Sequence, residues 1–180
     1  VSTAARFSAY ETQPESFLLL SSFSFDSSVV GIFWTLATGG KLVLPRSGEE
    51  LDLRVLTDLI ERHSVSHALA LPSLYRLLLD AAPVSALRSL KTVIVAGEAC
   101  PPELVTSHFS TLASTELYNE YGPTEATVWC TVHRCSADDG GSVPIGSPIP
   151  GATVTVLDKT GRPAGIGVPG EIHVAGPGVA

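Results

Sequence analysis

The residues best suited to chemistry lie in one short stretch, Tyr118-Asn119-Glu120-Tyr121-Gly122-Pro123-Thr124-Glu125. Gly122-Pro123 marks a turn, because glycine admits positive φ while proline fixes φ and lacks an amide donor. Around it stand an aromatic face (Tyr121), an amide that can read a donor–acceptor edge (Asn119), a hydroxyl (Thr124) and a carboxylate (Glu125). That set suits a nucleotide: a ring stacks on the base, a hydroxyl meets a phosphate oxygen, and a carboxylate holds the Mg²⁺ that phosphates bring. The same residues also read as a polar turn between two strands, and the local pattern leaves both readings open.

Other residues divide in the same way. Asp26 opens an apolar run, where it is either a helix cap or a fixed counter-charge for a cation entering an apolar pocket. Val-Ile-Val-Ala-Gly-Glu-Ala at 93–99 is a strand entering a turn before a helix, the place where open α/β sheets bind ligands. Gly97 there lets the backbone approach a flat base, although an ordinary strand-to-helix loop would look the same. Cys100 precedes Pro101-Pro102 at a helix start, where a thiolate is favoured, but no His or Asn partner is identifiable and an idle thiol is the plainer reading. His63 and His67 have metal-pair spacing, yet they straddle a helix end and a strand start with no accompanying ligand pattern, so zinc is not indicated. Gly165-x-Gly167-x-x-Gly170 formally fits a dinucleotide fingerprint but is interrupted by Pro169 and followed by a strand, so it is rejected.

The elements that must position these groups alternate. The end of a helix is expected over 1–10, polar linker over 11–16, and a strand over 17–25. A helix through Leu36, capped by Ser24 or Asp26, follows; its apolar residues fall nearly all round, which predicts burial, and Gly39-Gly40 ends it. Strands at 41–44, 66–71, 90–96 and 116–118 then alternate with helices at 51–63, 72–82 and 101–112, two of them opened by proline. This predicts an α/β fold, a doubly wound and mostly parallel sheet with flanking helices and right-handed crossovers. After residue 126 the helical pattern stops, glycine and proline accumulate, and β runs at 127–135, 152–157 and 171–175 predict part of a small β-barrel.

At 180 residues one domain is the default, and 44% hydrophobic with 16% charged residues indicates a well-buried globular chain. A net charge of −7 argues against nucleic acid or an anionic membrane as partner. Three cysteines without C-x-x-C spacing indicate neither a disulfide framework nor a thiolate metal site and fit a reducing, cytoplasmic setting. The apolar run at 17–20 is too short to span a membrane, and no charged leader precedes it. The chain begins at Val1 rather than at a methionine and stops inside a motif, and it reads as a segment of a longer protein.

Asn119 to Glu125 resembles the Asn-x-Tyr-Gly-Pro-Thr-Glu signature of adenylation domains in non-ribosomal peptide synthetases, members of the adenylate-forming superfamily with acyl-CoA synthetases and luciferases. Phe25-Asp26-Ser27-Ser28 resembles the family's upstream Phe-Asp-x-Ser motif, and 170–180 its downstream Gly-Glu-Leu-x-Ile-x-Gly motif. Three motifs in the expected order, spanning nearly the whole chain, make the match specific. The resemblance implies a partial α/β nucleotide- and amino-acid-binding subdomain over 1–125 and a partial barrel-like subdomain over 126–180. It implies ATP-dependent activation of an amino acid as its adenylate, with pyrophosphate released and the acyl group then loaded onto a carrier-protein phosphopantetheine beside condensation domains of the parent synthetase.

Residue by residue, the resemblance makes Thr124 and Glu125 catalytic, with Glu125 on Mg²⁺. It sets Gly97, Glu98, Ala99, Asn119, Glu120, Tyr121, Gly122 and Thr124 around ATP, and pairs Asp26 with the substrate α-ammonium. The side-chain pocket would be lined by Ser27, Val30, Ala70, Ile94, Ala96, Glu120, Val128 and Trp129. Glu120 pointing inward would favour a polar or cationic side chain; pointing outward, a small one. The family's phosphate loop, ribose-binding aspartate and catalytic lysine fall outside these residues, so the segment alone is expected not to catalyse. The alternatives are a carboxylic-acid ligase with no need of an amine, which Asp26 disfavours, and a non-catalytic nucleotide-binding or interaction segment.

Overall fold

The computed structural model describes residues 2–180, so Val1, the first residue of the expected leading helix, lies outside the described residues. The chain runs α1 (Ser2–Ala9), β1 (Ser16–Leu19), α2 (Ser27–Ala37), β2 (Lys41–Val43), α3 (Leu53–His63), β3 (His67–Ala70), α4 (Pro72–Ala81), α5 (Val84–Leu87), β4 (Thr92–Val95), α6 (Pro102–Thr111) and β5 (Glu116–Tyr121). A 3₁₀ turn, Thr124–Ala126, leads to β6 (Thr131–Arg134), β7 (Ser147–Pro148), β8 (Thr153–Leu157) and β9 (Glu171–Ala175).

Seven strands form one sheet in the order β2-β1-β3-β4-β5-β6-β7. The first five are parallel, while β6 and β7 add antiparallel. Every residue of β1, β3 and β4 is buried, as a parallel sheet covered on both faces requires. Alternation along the strands sorts the apolar side chains into two cores. Leu18, Val93, Val95 and Leu117 meet Leu56 and Ile60 of α3, Tyr75 and Leu78 of α4, and Leu104 of α6 on one face. Phe17, Leu19, Leu69, Ile94 and Tyr118 meet Ala5 of α1, Val30 and Trp34 of α2, and Trp129 on the other. The expected doubly wound, mostly parallel architecture is therefore present.

Local chemistry explains the boundaries. Asp52 caps α3 by accepting the Arg54 and Val55 amides at 3.0 and 3.3 Å, and the helix ends at a left-handed Ser64. Proline opens α4 and α6 within their first turns. Gly39, at φ +75°, follows Thr38 and stops α2 where the glycine pair was expected to.

Several expectations need correction. The strand expected over 17–25 ends at Leu19, because its neighbours pair with it only that far and the Phe25 amide turns back to Ser22 O at 2.9 Å. Helix α2 is not buried all round: Val29, Phe33 and Leu36 are 43%, 59% and 58% exposed, since the helix packs chiefly against α1, β1 and β2 through its other face. The strand expected at 116–118 runs on to Tyr121 because β6 pairs with it through Tyr121↔Thr131. The run expected at 127–135 is strand only from Thr131, and with β7 it extends the main sheet past residue 126. The β substructure that follows is a two-stranded antiparallel ribbon of β8 and β9. The short helix α5, entered through Pro83, was not anticipated.

Candidate functional site

The carboxyl ends of the parallel strands lie along one edge of the sheet, and each carries a segment singled out from sequence. The chain leaves β1 towards β2 on one side and returns to β3 on the other, so β1/β3 is the point where strand order reverses. Crevices at such points bind ligands. Asp26 follows β1 there, 97–99 follows β4, and Tyr121 to Glu125 leaves β5; β4 and β5 are register neighbours through Val95↔Asn119.

Asp26 occupies the N-cap position of α2 but makes no side-chain capping bond; Ser28 Oγ instead bonds Phe25 O at 2.8 Å, and Ser27 Oγ bonds Ser21 Oγ at 2.9 Å. Its carboxylate stays half-buried at a helix N-terminus, where a negative charge is favoured and is not consumed by the helix itself. The capping reading open from sequence thus applies to the position and not to the side chain.

Gly97 has φ +86° and is exposed, a conformation that an L side chain adopts only under strain. The turn is tied down by Glu98, whose carboxylate accepts Ser73 N at 3.1 Å and Ser73 Oγ at 3.0 Å at the start of α4. That leaves the backbone of 97–99 as the face offered to a ligand, with Ala99 exposed beside it. Tyr121, Thr124 and Glu125 are exposed across from it. Asn119, by contrast, is buried and donates one of its two Nδ2 hydrogens to Pro144 O at 2.8 Å.

The turn after β5 is close-packed. A Cβ on Gly122 would come within 2.8 Å of Cys130 N, so only glycine fits. Thr127 and Val128 follow at φ 56° and 79°, a left-handed pair that is a true outlier for β-branched Val128. Cys130 N to Tyr121 O at 2.8 Å closes the loop, and Thr127 Oγ1 reaches Gly178 O while Ala180 N reaches Glu125 O at 2.8 Å. The 170–180 motif thereby braces the segment that leaves β5.

The residues expected around a substrate side chain are only partly brought together. Val30, Ile94 and Trp129 share the α1/α2 core, with Val128 packed against it and Ala96 just past the strand that carries Ile94. Ala70 packs in the opposite core. Glu120 is buried, and no sequence pattern pointed to its partner: Arg6 of α1, also fully buried, grips it with Nη1 at 2.5 Å and Nη2 at 2.8 Å. Tyr10 donates its hydroxyl to the same carboxylate. The Arg6 guanidinium lies 4.1 Å from the Trp129 ring centre and 5.5 Å from those of Trp34 and Tyr10. Burial works against the Arg6 charge, but Glu120 more than offsets it and raises the pKa, while burial and then Glu120 push Tyr10 well up. The available signal was an Arg and a Tyr four residues apart on one helix face, with an acid among apolar pocket positions.

Elsewhere, His67 is buried against Ser66, Thr12 and the edge of Trp34. His133, Cys135 and Asp139 bring ligand atoms within 4.8 Å of one another, but His133 Nε2 already bonds Asp139 Oδ2 at 2.7 Å, and the free, buried Cys135 thiol is hydrogen-bonded to the free, buried Cys100 thiol. A cleft of about 430 Å³ between Thr12, Gly40 and Lys91 opens at the opposite, amino edge of the sheet. Among the described residues no helix is long and apolar enough to cross a membrane.

The profile described as "AMP-binding enzyme" matches residues 1–180. Bacitracin synthase 3 of Bacillus licheniformis is 40% identical over 163 residues, covering 91% of this chain and 2% of that protein. The AMPPNP-bound form of the non-ribosomal peptide synthetase FmoA3 (S1046A) superposes with a TM-score of 0.90 at 27% identity, covering 99% of this chain and 20% of that one. Holo-PA1221, a synthetase protein containing adenylation and PCP domains bound to a vinylsulfonamide inhibitor, gives 0.83 at 31% identity, covering 91% of this chain and 29% of that one. The chain thus spans a small part of the length of the proteins it matches.

Proposed function

The chain belongs to the AMP-binding enzyme family, and from that premise we propose that the protein carrying it activates an amino acid with ATP and passes it to a carrier-protein phosphopantetheine. The observation that carries the reading is the single edge of the sheet bearing Asp26, the 97–99 turn and Tyr121 to Glu125, with the Asp26 carboxylate unspent on its own helix. An acid ligase with no amine to bind leaves that carboxylate without a task. The bound forms of FmoA3 and PA1221 support nucleotide and carrier as partners, each for its own protein.

The substrate carboxylate attacks the α-phosphorus of ATP, the new bond to phosphorus forms as the bond to the bridging oxygen breaks, and pyrophosphate leaves. A carboxylate is already nucleophilic, so no general base is needed, and the protein supplies alignment and charge stabilisation. Asp26 holds the α-ammonium. Tyr121 stacks on adenine against the backbone of 97–99, and Gly122 allows the close turn that presents Thr124 to a phosphate oxygen. Glu125, an exposed hard oxygen donor, fits Mg²⁺, which supplies charge neutralisation at the phosphates. Asn119 acts by holding Pro144 and so the wall beside the base.

The test is ATP–pyrophosphate exchange by the full-length protein across the proteinogenic amino acids. Exchange with one or two of them supports the reading. Exchange driven by carboxylic acids and by no amino acid would replace it with the acid-ligase alternative.

A further inference from the structure

We propose that Arg6, from α1, is a specificity-determining residue: paired with Glu120, it closes the side-chain subsite to all but a small, uncharged amino acid side chain. This rests on the activation reading above. Glu120 follows Tyr118 by two residues on β5 and therefore faces the same side of the sheet as Ile94, Val30 and Trp129. A lone buried carboxylate there would recruit a cationic side chain. This one already holds a bidentate guanidinium and a tyrosine hydroxyl, so its charge is cancelled and its lone pairs are engaged. A second cation would be buried without a counter-charge, and an acidic side chain would meet Glu120 itself.

Volume points the same way. The guanidinium lies over Trp129, with Trp34 and Tyr10 around it, and Trp34, Trp129 and Arg6 are among the largest fully buried side chains of the protein. An ordinary structural ion pair explains the arrangement less well. Arg6 Nε is buried without a hydrogen-bond partner among the described residues, a burden that apolar residues of similar size would avoid. Retaining the pair makes sense where charge and size must both be refused.

The experiment is pyrophosphate exchange by the full-length protein with glycine, alanine, serine, leucine, phenylalanine, ornithine and lysine. The wild type is compared with Arg6→Ala and with the Arg6→Met/Glu120→Met double variant, which leaves no unpaired buried charge. The wild type is expected to use a small neutral substrate. Arg6→Ala should gain about tenfold or more in exchange with ornithine or lysine, while the double variant should gain with leucine and not with ornithine. A wild type that prefers ornithine, lysine or phenylalanine overturns the proposal. So does an exchanging wild type whose profile neither variant changes, and that result leaves amino-acid activation standing. Silence of the wild type with every amino acid overturns the activation reading, and this inference with it.

Discussion

Two carboxylates of the same charge have opposite fates here, and the contrast organises the site residue by residue. Asp26 sits at a cap position without capping, whereas Glu120 is fully engaged by Arg6 and Tyr10. On the proposed function, a fixed negative charge is thereby left for an ammonium and removed from the side-chain subsite. Gly122 shows how tightly the turn after β5 is set. In Gly122→Ala the new methyl meets Cys130 N at 2.8 Å, and because that atom is backbone it has no rotamer by which to yield. The expected loss is about 1–3 kcal/mol of stability, read from urea unfolding; a midpoint equal to wild type would contradict the packing described.

At the scale of elements, the carboxyl edge works because short strands stop together. Apolar runs bounded by glycine and proline made β3, β4, α4 and α6 legible, since these depend on their own residues. What could not be read was set by partners. β1 is shorter than its apolar run because β2 and β3 offer no more ladder, and β5 is longer than its run because β6 pairs with Asn119 to Tyr121. This extension turns Asn119 and Glu120 to opposite faces of the sheet, so only one of two neighbouring motif residues can serve the subsite. Arg6 was illegible for a related reason: its contact with Glu120 joins residues 114 positions apart. Glu98 links elements in the same way, by fixing the 97–99 turn to the N-terminus of α4. In Glu98→Ala that turn loses its tether, and KM for ATP should rise severalfold with a small change in thermal stability. An unchanged KM would mean that the turn holds its shape without the carboxylate.

Over the whole molecule, two cores of different character flank one sheet. The α3–α6 side is mostly apolar, with His108 of α6 buried between the Tyr75 hydroxyl and the Thr115 carbonyl, whereas the α1/α2 side buries Arg6, Glu120 and His67 among aromatic rings and leaves Val29, Phe33 and Leu36 of α2 exposed. That mixed core makes the fold sensitive to acid. Burial lowers the pKa of His67 to about 4, from 6.5 when unfolded, despite the Thr12 carbonyl, which accepts from the ring and acts in the opposite direction. Between those values the unfolded chain binds a proton that the folded chain refuses. Stability is thus fully present above pH 6.5 and falls as the pH drops towards 4, by at most about 3 kcal/mol from this group. Urea unfolding at pH 7 and pH 5 should show the loss, and His67→Gln should reduce it, leaving the part due to His108, which burial also holds below its ordinary value; an equally steep dependence in His67→Gln would assign it to another group.

The proposed function depends on Asp26 reading an amino group, and a matched pair of substrates isolates that step. With the amino acid identified by exchange, the full-length protein is assayed with that amino acid and with the carboxylic acid of the same skeleton lacking the amine, for wild type and Asp26→Asn. The wild type should favour the amino acid by about a hundredfold or more, and Asp26→Asn should abolish most of that preference while leaving KM for ATP near its wild-type value. A preference that survives intact in Asp26→Asn would contradict the account, because the amine would then be recognised elsewhere.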